Sequence, residues 1–466
     1  MTLRTELYPY QVAAVKKLLP LRIGALYMEM GTGKTRTTLE IIKSRLEAGK
    51  IDCIIWLCPC SVKMNLKNDI LYHCGKLPDC ITICGIETLS TSIRENVRLA
   101  GIVGERTMII VDESNLVKNP HALRTEHITK LAKKCRYRMI LNGTPITRNY
   151  ADLFSQWYIL DWRVLGYRSF YSFAANHLQY DDRIPGKIVR NLNVDYLARR
   201  IAPYTYQVTK TEVLDLPKKL HNTCIVHMTD KQKEEYHEVG DAMISMLDDC
   251  IPETIYRMFS ALQSVISGNY VTGLEQHLKS YPMFNDPSEN PRIQGLLDVI
   301  DNNVQNEKAI IFCKFTREIH DIIALLNNRY GKCSAVEFTG ELSQTRRNKN
   351  IEIFKTSAQF LVANKTCAGY GLNLQFCHNV IFYSNDFNWG TRQQAEDRVH
   401  RIGQSNEVYI WDIICNNTLD EIIVDCLSHK ENLHDRFKNE IKKLKDSKTI
   451  ARKWILGGNN NIGKDL

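Results

Sequence analysis

Short apolar runs rich in β-branched residues alternate with helical segments in two separate stretches of the chain. The first stretch contains such runs at 54–57, 81–83, 108–111 and 138–141. The second contains them at 309–312, 360–362, 380–383 and 408–411. Near-continuous apolar strands separated by helices are typical of parallel sheets that are covered on both faces. The pattern therefore predicts an α/β protein with two parallel-sheet lobes.

Between the two stretches the pattern changes to longer helical segments rich in tyrosine and charge. The proline-containing segment 280–292 is typical of a linker, and the charged stretch 430–448 predicts a solvated helix. We expect a first lobe over 1–160, a helical insertion and linker over 161–290, a second lobe over 291–430, and a C-terminal helix and tail over 431–466.

Composition adds few constraints on function. The 61 basic and 52 acidic residues give a net charge of +9, which suits a polyanionic partner but is also common in proteins that bind no nucleic acid. No apolar run approaches the ~20 residues that cross a bilayer, and the first residues carry no signal-peptide core. The 15 cysteines lack zinc-ribbon spacing and favour reduced thiols over a metal site. We expect a protein without membrane contact in the cytoplasm of a prokaryote or a virus-infected cell, with the nucleus as an alternative.

A glycine-rich turn lies between an apolar run at 26–28 and a helical pattern at 37–46. Glycines let backbone N–H groups face phosphates, and the positive end of the helix dipole favours negative charge. We expect the ammonium group of Lys34 to reach the β- and γ-phosphates of a nucleotide, and the hydroxyl of Thr35 to ligate Mg²⁺. A chance glycine turn is the alternative, since Met28 stands where the general pattern has glycine. The residues of this predicted nucleotide loop are Gly31, Thr32, Gly33, Lys34 and Thr35.

Two carboxylates, Asp112 and Glu113, follow directly after the apolar run at 108–111. Ligands of parallel sheets bind at the carboxyl ends of the strands. We expect Asp112 to hold Mg²⁺ through water and Glu113 to orient and deprotonate the attacking water. An acidic pair after a strand can also be a helix cap. Together with the glycine-rich turn, however, the pair predicts an NTPase.

The order of motifs in the first half resembles that of the Swi/Snf-like branch of superfamily 2 helicases. The segment 29–35 is similar to motif I, 58–61 with Asn65 to motif Ia, 112–120 to motif II, and 141–146 to motif III. The segment 7–11 resembles the Q-motif, which implies that Gln11 contacts adenine. Because the family usually has aspartate at the position of Met28, the missing glycine there fits the resemblance. The resemblance implies two RecA-like lobes, with ATP and Mg²⁺ as cofactors.

The second half continues the resemblance to about residue 430. The segment 310–315 is similar to motif IV, 368–374 to motif V, where Gly371 would contact the nucleotide, and 394–404 to motif VI. The Ile-Gly-Gln ending of motif VI separates the Swi/Snf-like branch from most RNA helicases. The resemblance implies that Arg398 and Arg401 are arginine fingers, which stabilise charge on the γ-phosphate in the transition state. Because they come from the other lobe, hydrolysis would depend on lobe closure.

Motif VI has a second interpretation, and three positions depart from the family's pattern. Glu396 and Asp397 could pair with the two arginines on a surface helix.

Asn115 stands where the family commonly has histidine in motif II. Since an amide still donates and accepts hydrogen bonds, we expect altered coupling of the nucleotide site to motif III rather than an inactive enzyme. Leu66 replaces a usual tryptophan, and 387–389 replaces a usual Trp-Asn-Pro.

Groups that contact nucleic acid in a motor should bind the phosphodiester backbone, since translocation must work on any sequence. The resemblance implies one contact in each of motifs Ia, III, IV and V. Each of these side chains could instead be a helix cap or a solvated surface group. The implied contacts are Asn65, Thr144, Lys314 and Thr366.

The resemblance implies an ATP-dependent translocase on double-stranded DNA that remodels protein–DNA complexes or drives branch migration and annealing. We expect double-stranded or branched DNA and protein targets on DNA as partners, and a compact monomeric member from a phage or a bacterium. A strand-separating RNA or DNA helicase, a small-molecule kinase and a catalytically weak DNA-binding scaffold are the alternatives. The kinase would not need a second lobe with paired arginines, and a scaffold would not need an intact nucleotide site.

Overall fold

The fold consists of two compact units, each built on a parallel sheet. The computed structural model describes residues 1–143, 150–181, 186, 188–245, 252–274, 277–364 and 372–429, with only the backbone of 252–255. We call Met1–Leu216 the first unit, and Pro217–Gly369 with Asn373–Leu466 the second unit. Each contains one six-stranded sheet whose strands are all parallel, which confirms the predicted fold class. In the described ranges no helix combines the length and apolar character that a membrane span requires.

The strands form two large sheets and two small antiparallel pairs. In chain order they are β1 (Ile23–Met28), β2 (Cys53–Cys58), β3 (Ile81–Gly85), β4 (Thr107–Val111), β5 (Tyr137–Asn142), β6 (Leu178–Tyr180), β7 (Ile188–Asn191), β8 (Thr205–Val208), β9 (Lys219–Val226), β10 (Asn269–Thr272), β11 (Lys279–Pro282), β12 (Ala309–Cys313), β13 (Ala335–Phe338), β14 (Phe360–Asn364), β15 (Asn379–Phe382) and β16 (Val408–Cys415). The first unit has the strand order β3-β2-β4-β5-β1-β8, and the second has β13-β14-β12-β15-β16-β9.

Helices connect successive strands and cover the sheets, as parallel connections require. In chain order they are α1 (Pro9–Leu18), α2 (Lys34–Glu47), α3 (Lys63–Cys74), α4 (Thr88–Thr91), α5 (Ile93–Ile102), α6 (Leu123–Lys134), α7 (Ala151–Leu165), α8 (Phe170–His177), α9 (Val194–Ile201), α10 (Lys210–Val213), α11 (Asp230–Ser245), α12 (Pro252–Ile266), α13 (Pro291–Val299), α14 (Thr316–Arg329), α15 (Gln344–Thr356), α16 (Trp389–Glu396) and α17 (Leu419–Ser428).

Both faces of the first sheet are buried, because alternate strand residues pack against different helices. Ile55 and Ile109 belong to a core that includes Phe154 of α7. Their neighbours Ile54 and Met108 belong to a separate core with α1, α2 and α3. Burial of each such side chain contributes roughly 1.5–3 kcal/mol relative to exposure. This two-sided burial explains why the strands are near-continuous apolar runs.

The region 161–290, predicted as an insertion and linker, supplies an outer strand to each sheet. β8 pairs with β1 in the first unit, and β9 pairs with β16 in the second. The predicted linker 280–292 begins inside β11, which pairs with β10. The exact boundaries given from the sequence stay a prediction.

Candidate active site

The predicted nucleotide loop follows β1 and leads into α2, whose first residue is Lys34. Gly31 and Gly33 both have a φ of +83°, a conformation that glycine adopts without steric cost. A Cβ atom on Gly33 would lie 2.3 Å from the amide nitrogen of Gln11. Glycine is therefore needed at Gly33 for both conformation and space. Thr35 is half-buried in the first turn of α2, where unpaired backbone N–H groups can bind an anion.

Gln11, the predicted adenine contact, is hydrogen-bonded to the nucleotide loop. Its side chain is buried; Nε2 donates to the carbonyl oxygen of Thr32 at 3.1 Å, and Oε1 accepts from the backbone N–H of Tyr8 at 3.0 Å. The Tyr10 hydroxyl donates to the same Thr32 carbonyl at 2.9 Å. The contact between Gln11 and adenine stays a prediction. Sequence reasoning missed Tyr10, although it stands beside Gln11 in the motif.

Lys34 and Asp112 lie at the same edge of the first sheet, at the carboxyl ends of β1 and β4, which flank β5. Lys34 Nζ donates to the carbonyl oxygen of Met28 at 2.9 Å. The backbone N–H of Asp112 donates to the carbonyl oxygen of Leu57 at 2.7 Å. Burial and the neighbouring Glu113 carboxylate raise the pKa of Asp112, whereas the Lys34 ammonium opposes that rise. The structure thus brings two of the predicted catalytic groups into electrostatic contact.

Glu113 has backbone angles of φ 49° and ψ 56°, the left-handed region that non-glycine residues rarely adopt. Such a conformation costs on the order of 1–3 kcal/mol and tends to occur at active sites. It turns the chain after β4 into a short 3-10 helix, Ser114–Val117. Among the described residues, no hydrogen bond or ion pair involves the Glu113 carboxylate, and its charge acts on the neighbouring Asp112 carboxyl.

A buried polar network connects motif II to β5 and α7. Ser114 Oγ donates to Gln156 Oε1 at 2.6 Å, and Asn142 Nδ2 donates to Ser114 Oγ at 3.3 Å. All three side chains are fully buried. Next to them, Asn115 Oδ1 is buried and has no hydrogen-bond partner within the described residues. Sequence reasoning missed Gln156, because nothing in its local pattern marks it as a partner of motif II.

The oxygen atoms at this edge suit Mg²⁺. Thr35 supplies a hydroxyl and Asp112 a carboxylate, which are ligands that Mg²⁺ accepts together with phosphates and waters. A buried carboxylate that lies beside another carboxylate is also stabilised by a dication, because the positive charge offsets the repulsion that raises its pKa. The described residues contain no cluster of three or more His, Cys, Asp or Glu side chains that could hold a metal by themselves.

In the second unit, α16 ends at Glu396, and Arg398 and Arg401 follow in irregular turns. The alternative interpretation of motif VI, a surface helix that carries Glu396, Asp397 and both arginines, is therefore wrong about the helix and about the partners of Glu396. The two oxygens of Glu396 instead accept from Arg392 Nε and Lys219 Nζ, both at 2.8 Å. Arg401 Nη1 donates to Asn373 Oδ1 in motif V.

A buried ion pair fastens α16 to β16. Arg392 Nη1 and Nη2 donate to the two oxygens of Asp412 at 2.6 and 2.9 Å. Asn385 Nδ2 donates to Asp412 Oδ1 at 2.6 Å, and the Arg392 guanidinium lies 3.4 Å from the centroid of the Phe382 ring. Removing one partner of a buried ion pair is strongly destabilising. Sequence reasoning missed this network, because it depends on tertiary contacts.

The Ile-Gly-Gln ending of motif VI has a structural role. Gly403 has a φ of +94°, so the chain turns there with little strain only if the residue is glycine. Gln404 is buried, and its Nε2 donates to the carbonyl oxygens of Cys377 at 2.9 Å and Val399 at 3.4 Å. Gln404 therefore joins the arginine-bearing turn to the segment before β15.

The candidate nucleic-acid contacts have different surroundings. Asn65 is half-buried in α3. Lys314 Nζ donates to Gln263 Oε1 at 2.6 Å and lies 3.6 Å from the centroid of the Phe387 ring. Burial lowers the pKa of Lys314 to about 7. Its contact with a phosphodiester stays a prediction. Thr144, Thr366 and the predicted nucleotide contact Gly371 lie outside the described residues.

Two known domain families match this chain of two parallel-sheet units. A model of the SNF2-related domain matches residues 76–272, and a model of the helicase conserved C-terminal domain matches residues 291–403. The chain thus contains an SNF2-related domain and a helicase conserved C-terminal domain. These two domains confirm the resemblance that was drawn from the motifs.

Similar proteins come from fungi, bacteria and archaea. The chain is 23% identical to TATA-binding protein-associated factor mot1 of Aspergillus fumigatus, over 91% of the chain and 26% of that protein. It is 26% identical to the uncharacterized ATP-dependent helicase MG018 of Mycoplasma genitalium, over 70% of the chain and 30% of that protein. The Sulfolobus solfataricus SWI2/SNF2 ATPase core, solved in complex with dsDNA, aligns over 98% of both chains with 23% identity and a TM-score of 0.42. The chain thus spans under a third of the length of these two curated relatives.

Proposed function

We propose that this protein is a DNA-stimulated ATPase that translocates along double-stranded DNA. The observation that supports this proposal most directly is that the Lys34 ammonium acts electrostatically on the Asp112 carboxyl at one sheet edge of a chain that contains an SNF2-related domain. Motif VI adds Arg398 and Arg401, which a small-molecule kinase would not need. Remodelling of protein–DNA complexes or branch migration would be the outcome of translocation.

In the proposed reaction, each side chain has one role. Lys34 exchanges the Met28 carbonyl for the β- and γ-phosphates of ATP, and Thr35 and Asp112 would hold Mg²⁺. Mg²⁺, when bound, neutralises charge on the phosphates. Glu113 takes a proton from the attacking water, and the two arginines stabilise the charge that develops on the γ-phosphate.

The proposed partner is double-stranded or branched DNA, with proteins bound on that DNA as targets and the protein itself a monomer. The net charge of +9 favours a polyanion, and translocation on any sequence requires contacts to the phosphodiester backbone. The Ile-Gly-Gln ending of motif VI favours the duplex-translocating branch over RNA helicases.

ATP hydrolysis measured alone and with duplex, single-stranded and forked DNA, and with RNA, tests the proposal. We expect the largest stimulation with duplex or forked DNA. Equal rates under all these conditions would contradict a motor. A triplex-displacement assay then separates translocation from strand separation: displacement of the third strand without unwinding of the duplex supports a translocase, and unwinding supports the helicase alternative.

The buried, unpartnered Oδ1 of Asn115 favours a second candidate, a DNA-binding scaffold with weak catalysis. An acceptor without a partner beside the polar network would weaken the coupling of motif II to β5. The scaffold predicts that the wild-type rate matches that of Lys34→Ala with every nucleic acid. A wild-type rate well above Lys34→Ala in the presence of DNA would exclude it.

A further inference from the structure

We propose that a groove in the first unit is a docking site for an acidic peptide segment of a partner protein, which inserts one large apolar side chain. The groove lies between α6 and the pair α7 and α8 and has a volume of about 340 Å³. We call it the aromatic groove. The proposed reaction on ATP does not require it. The lining residues on which the inference rests are His121, Thr129, Phe154, Tyr158, Phe170 and Tyr171.

The aromatic rings of the groove run from the core to the surface. Phe154 is 5% exposed, and its ring centroid lies 5.4 Å from that of Tyr158 and 5.6 Å from that of Phe170. At the outer end, Tyr171 is 77% exposed and packs only loosely, with its centroid 6.4 Å from that of His121. A concave aromatic surface that stays in contact with water is a typical place for one anchoring apolar side chain of a partner.

The rim of the groove is positively charged. Lys133 Nζ lies 5.8 Å from the Tyr158 ring centroid, and the Arg168 guanidinium lies 4.7 Å from the Trp162 ring. The acidic side chain at the rim, Glu126, is paired with Lys130 at 2.6 Å. Across the described ranges, no carboxylate pairs with Lys133 or Arg168. An acidic partner would therefore be attracted and oriented by these two cations.

The shape of the groove favours a peptide over single-stranded nucleic acid. Phe154 and Phe170 meet at 69°, and His121 and Phe170 meet at 84°. Rings packed edge to face do not offer the succession of open faces on which consecutive bases stack. The single recess instead suits one tryptophan, phenylalanine or leucine side chain, with acidic neighbours on the rim.

The groove is close to motif II along α7. Ser155, which lines the groove, donates from Oγ to the carbonyl oxygen of Lys118 at 3.1 Å. The next residue, Gln156, belongs to the polar network with Ser114. A docked segment would thus contact the helix that supports the catalytic turn. The inference itself concerns binding, and it stands whether or not the protein hydrolyses ATP.

Binding of short fluorescein-labelled peptides to the full chain, followed by fluorescence anisotropy, tests the proposal. The probe has one tryptophan flanked on both sides by aspartates and glutamates; the control peptides replace the tryptophan by alanine or the acidic residues by lysine. The variants are Lys133→Glu with Arg168→Glu, and Thr129→Phe, which fills the groove from α6. The matched control is Lys16→Glu with Lys17→Glu, which reverses two exposed charges on α1 at the opposite face of the sheet. Unchanged thermal unfolding shows that each variant is folded.

We expect the acidic tryptophan peptide to bind the wild type and the α1 control equally, and both groove variants at least about tenfold more weakly, or 1.4 kcal/mol. Both control peptides should bind weakly to every protein. The proposal is overturned if the peptide does not bind, or if it binds the groove variants as tightly as the wild type. It is also overturned if the groove variants lose the binding of oligothymidylate and keep the binding of the peptide.

Discussion

The two units hold their chemically important side chains by different means. In the first unit, backbone geometry does so: Gly31, Gly33 and Glu113 all adopt positive φ angles at strand ends. In the second unit, the turn that carries Arg398 and Arg401 follows a helix fastened by the buried Arg392–Asp412 pair.

This difference teaches how function and stability are coupled in each unit. A side chain positioned by backbone angles can lose its chemistry while the fold remains, since its own atoms hold nothing else in place. A helix positioned by a buried ion pair depends on charges whose loss leaves an uncompensated partner in the core. Substitutions at these positions of the first unit should therefore reduce activity while the stability of the fold stays the same. Substitutions in the Arg392–Asp412 pair should reduce both activity and stability.

The largest effect is expected for Arg401→Ala. An arginine at the γ-phosphate stabilises transition-state charge and is worth about 10³–10⁵ in rate. We expect DNA-stimulated ATP hydrolysis to fall by that order, measured as phosphate release, with thermal unfolding nearly unchanged. The control is Arg346→Ala, an exposed arginine on α15. Intact stimulated hydrolysis in Arg401→Ala would show that the assignment of this finger is wrong.

Glu113→Gln, a substitution in the first unit, should have the next largest effect on the rate of ATP hydrolysis. The amide keeps the size of the carboxylate but cannot take a proton, and loss of a general base costs about 10²–10⁴ in rate. ATP binding, measured with a fluorescent ATP analogue, should persist, and so should the midpoint of thermal unfolding. Glu105→Gln, at an exposed position, is the matched control. A variant that hydrolyses ATP normally would remove Glu113 from the reaction.

The contrast between the units also explains what the sequence could predict. The runs at 54–57 and 108–111 predicted β2 and β4 because strands buried on both faces must be apolar along their whole length. β9 was not predicted, since the polar run 221–223 interrupts its apolar residues at the outer position of its sheet. Local patterns reveal such an edge strand less clearly than a central one.

In the candidate site, too, some features could be predicted from the sequence and others could not. The nucleotide loop, from Gly31 to Thr35, could be predicted because a phosphate-binding turn is encoded in consecutive residues. The partners of Arg392 could not, because Asp412 lies on another strand and an arginine is ordinarily expected at the surface. The family motif located Arg398 and Arg401, but the ion pair that fastens the preceding helix, α16, emerges only from the tertiary structure.

Asp412→Asn tests whether the second unit depends on its buried ion pair, because we expect this substitution to destabilise the fold. Asp412 accepts two hydrogen bonds from the Arg392 guanidinium and one from Asn385. Loss of its charge leaves a buried cation only partly compensated by Glu396, a change that costs about 3 kcal/mol, at the lower end for a broken buried pair. We expect urea unfolding to show this loss, together with reduced stimulated hydrolysis. Asp230→Asn, at a fully exposed position, serves as the control, and equal stability of the two variants would contradict the structural role of the pair.

A pH-dependent effect at Lys314, in the second unit, sharpens the comparison further. Desolvation of the half-buried Lys314 lowers its pKa to about 7 in the fold, against about 10.4 in an unfolded chain. Between these values the native state binds fewer protons than the unfolded state, so the cost of this group to stability is complete below about pH 7 and declines as the pH rises towards about 10.4. Lys314→Met should therefore raise the free energy of unfolding most at about pH 6 and much less at about pH 9, measured by urea unfolding against exposed Lys332→Met. If Lys314→Met were less stable at both pH values, the attraction of the ammonium for the Phe387 ring would outweigh its desolvation.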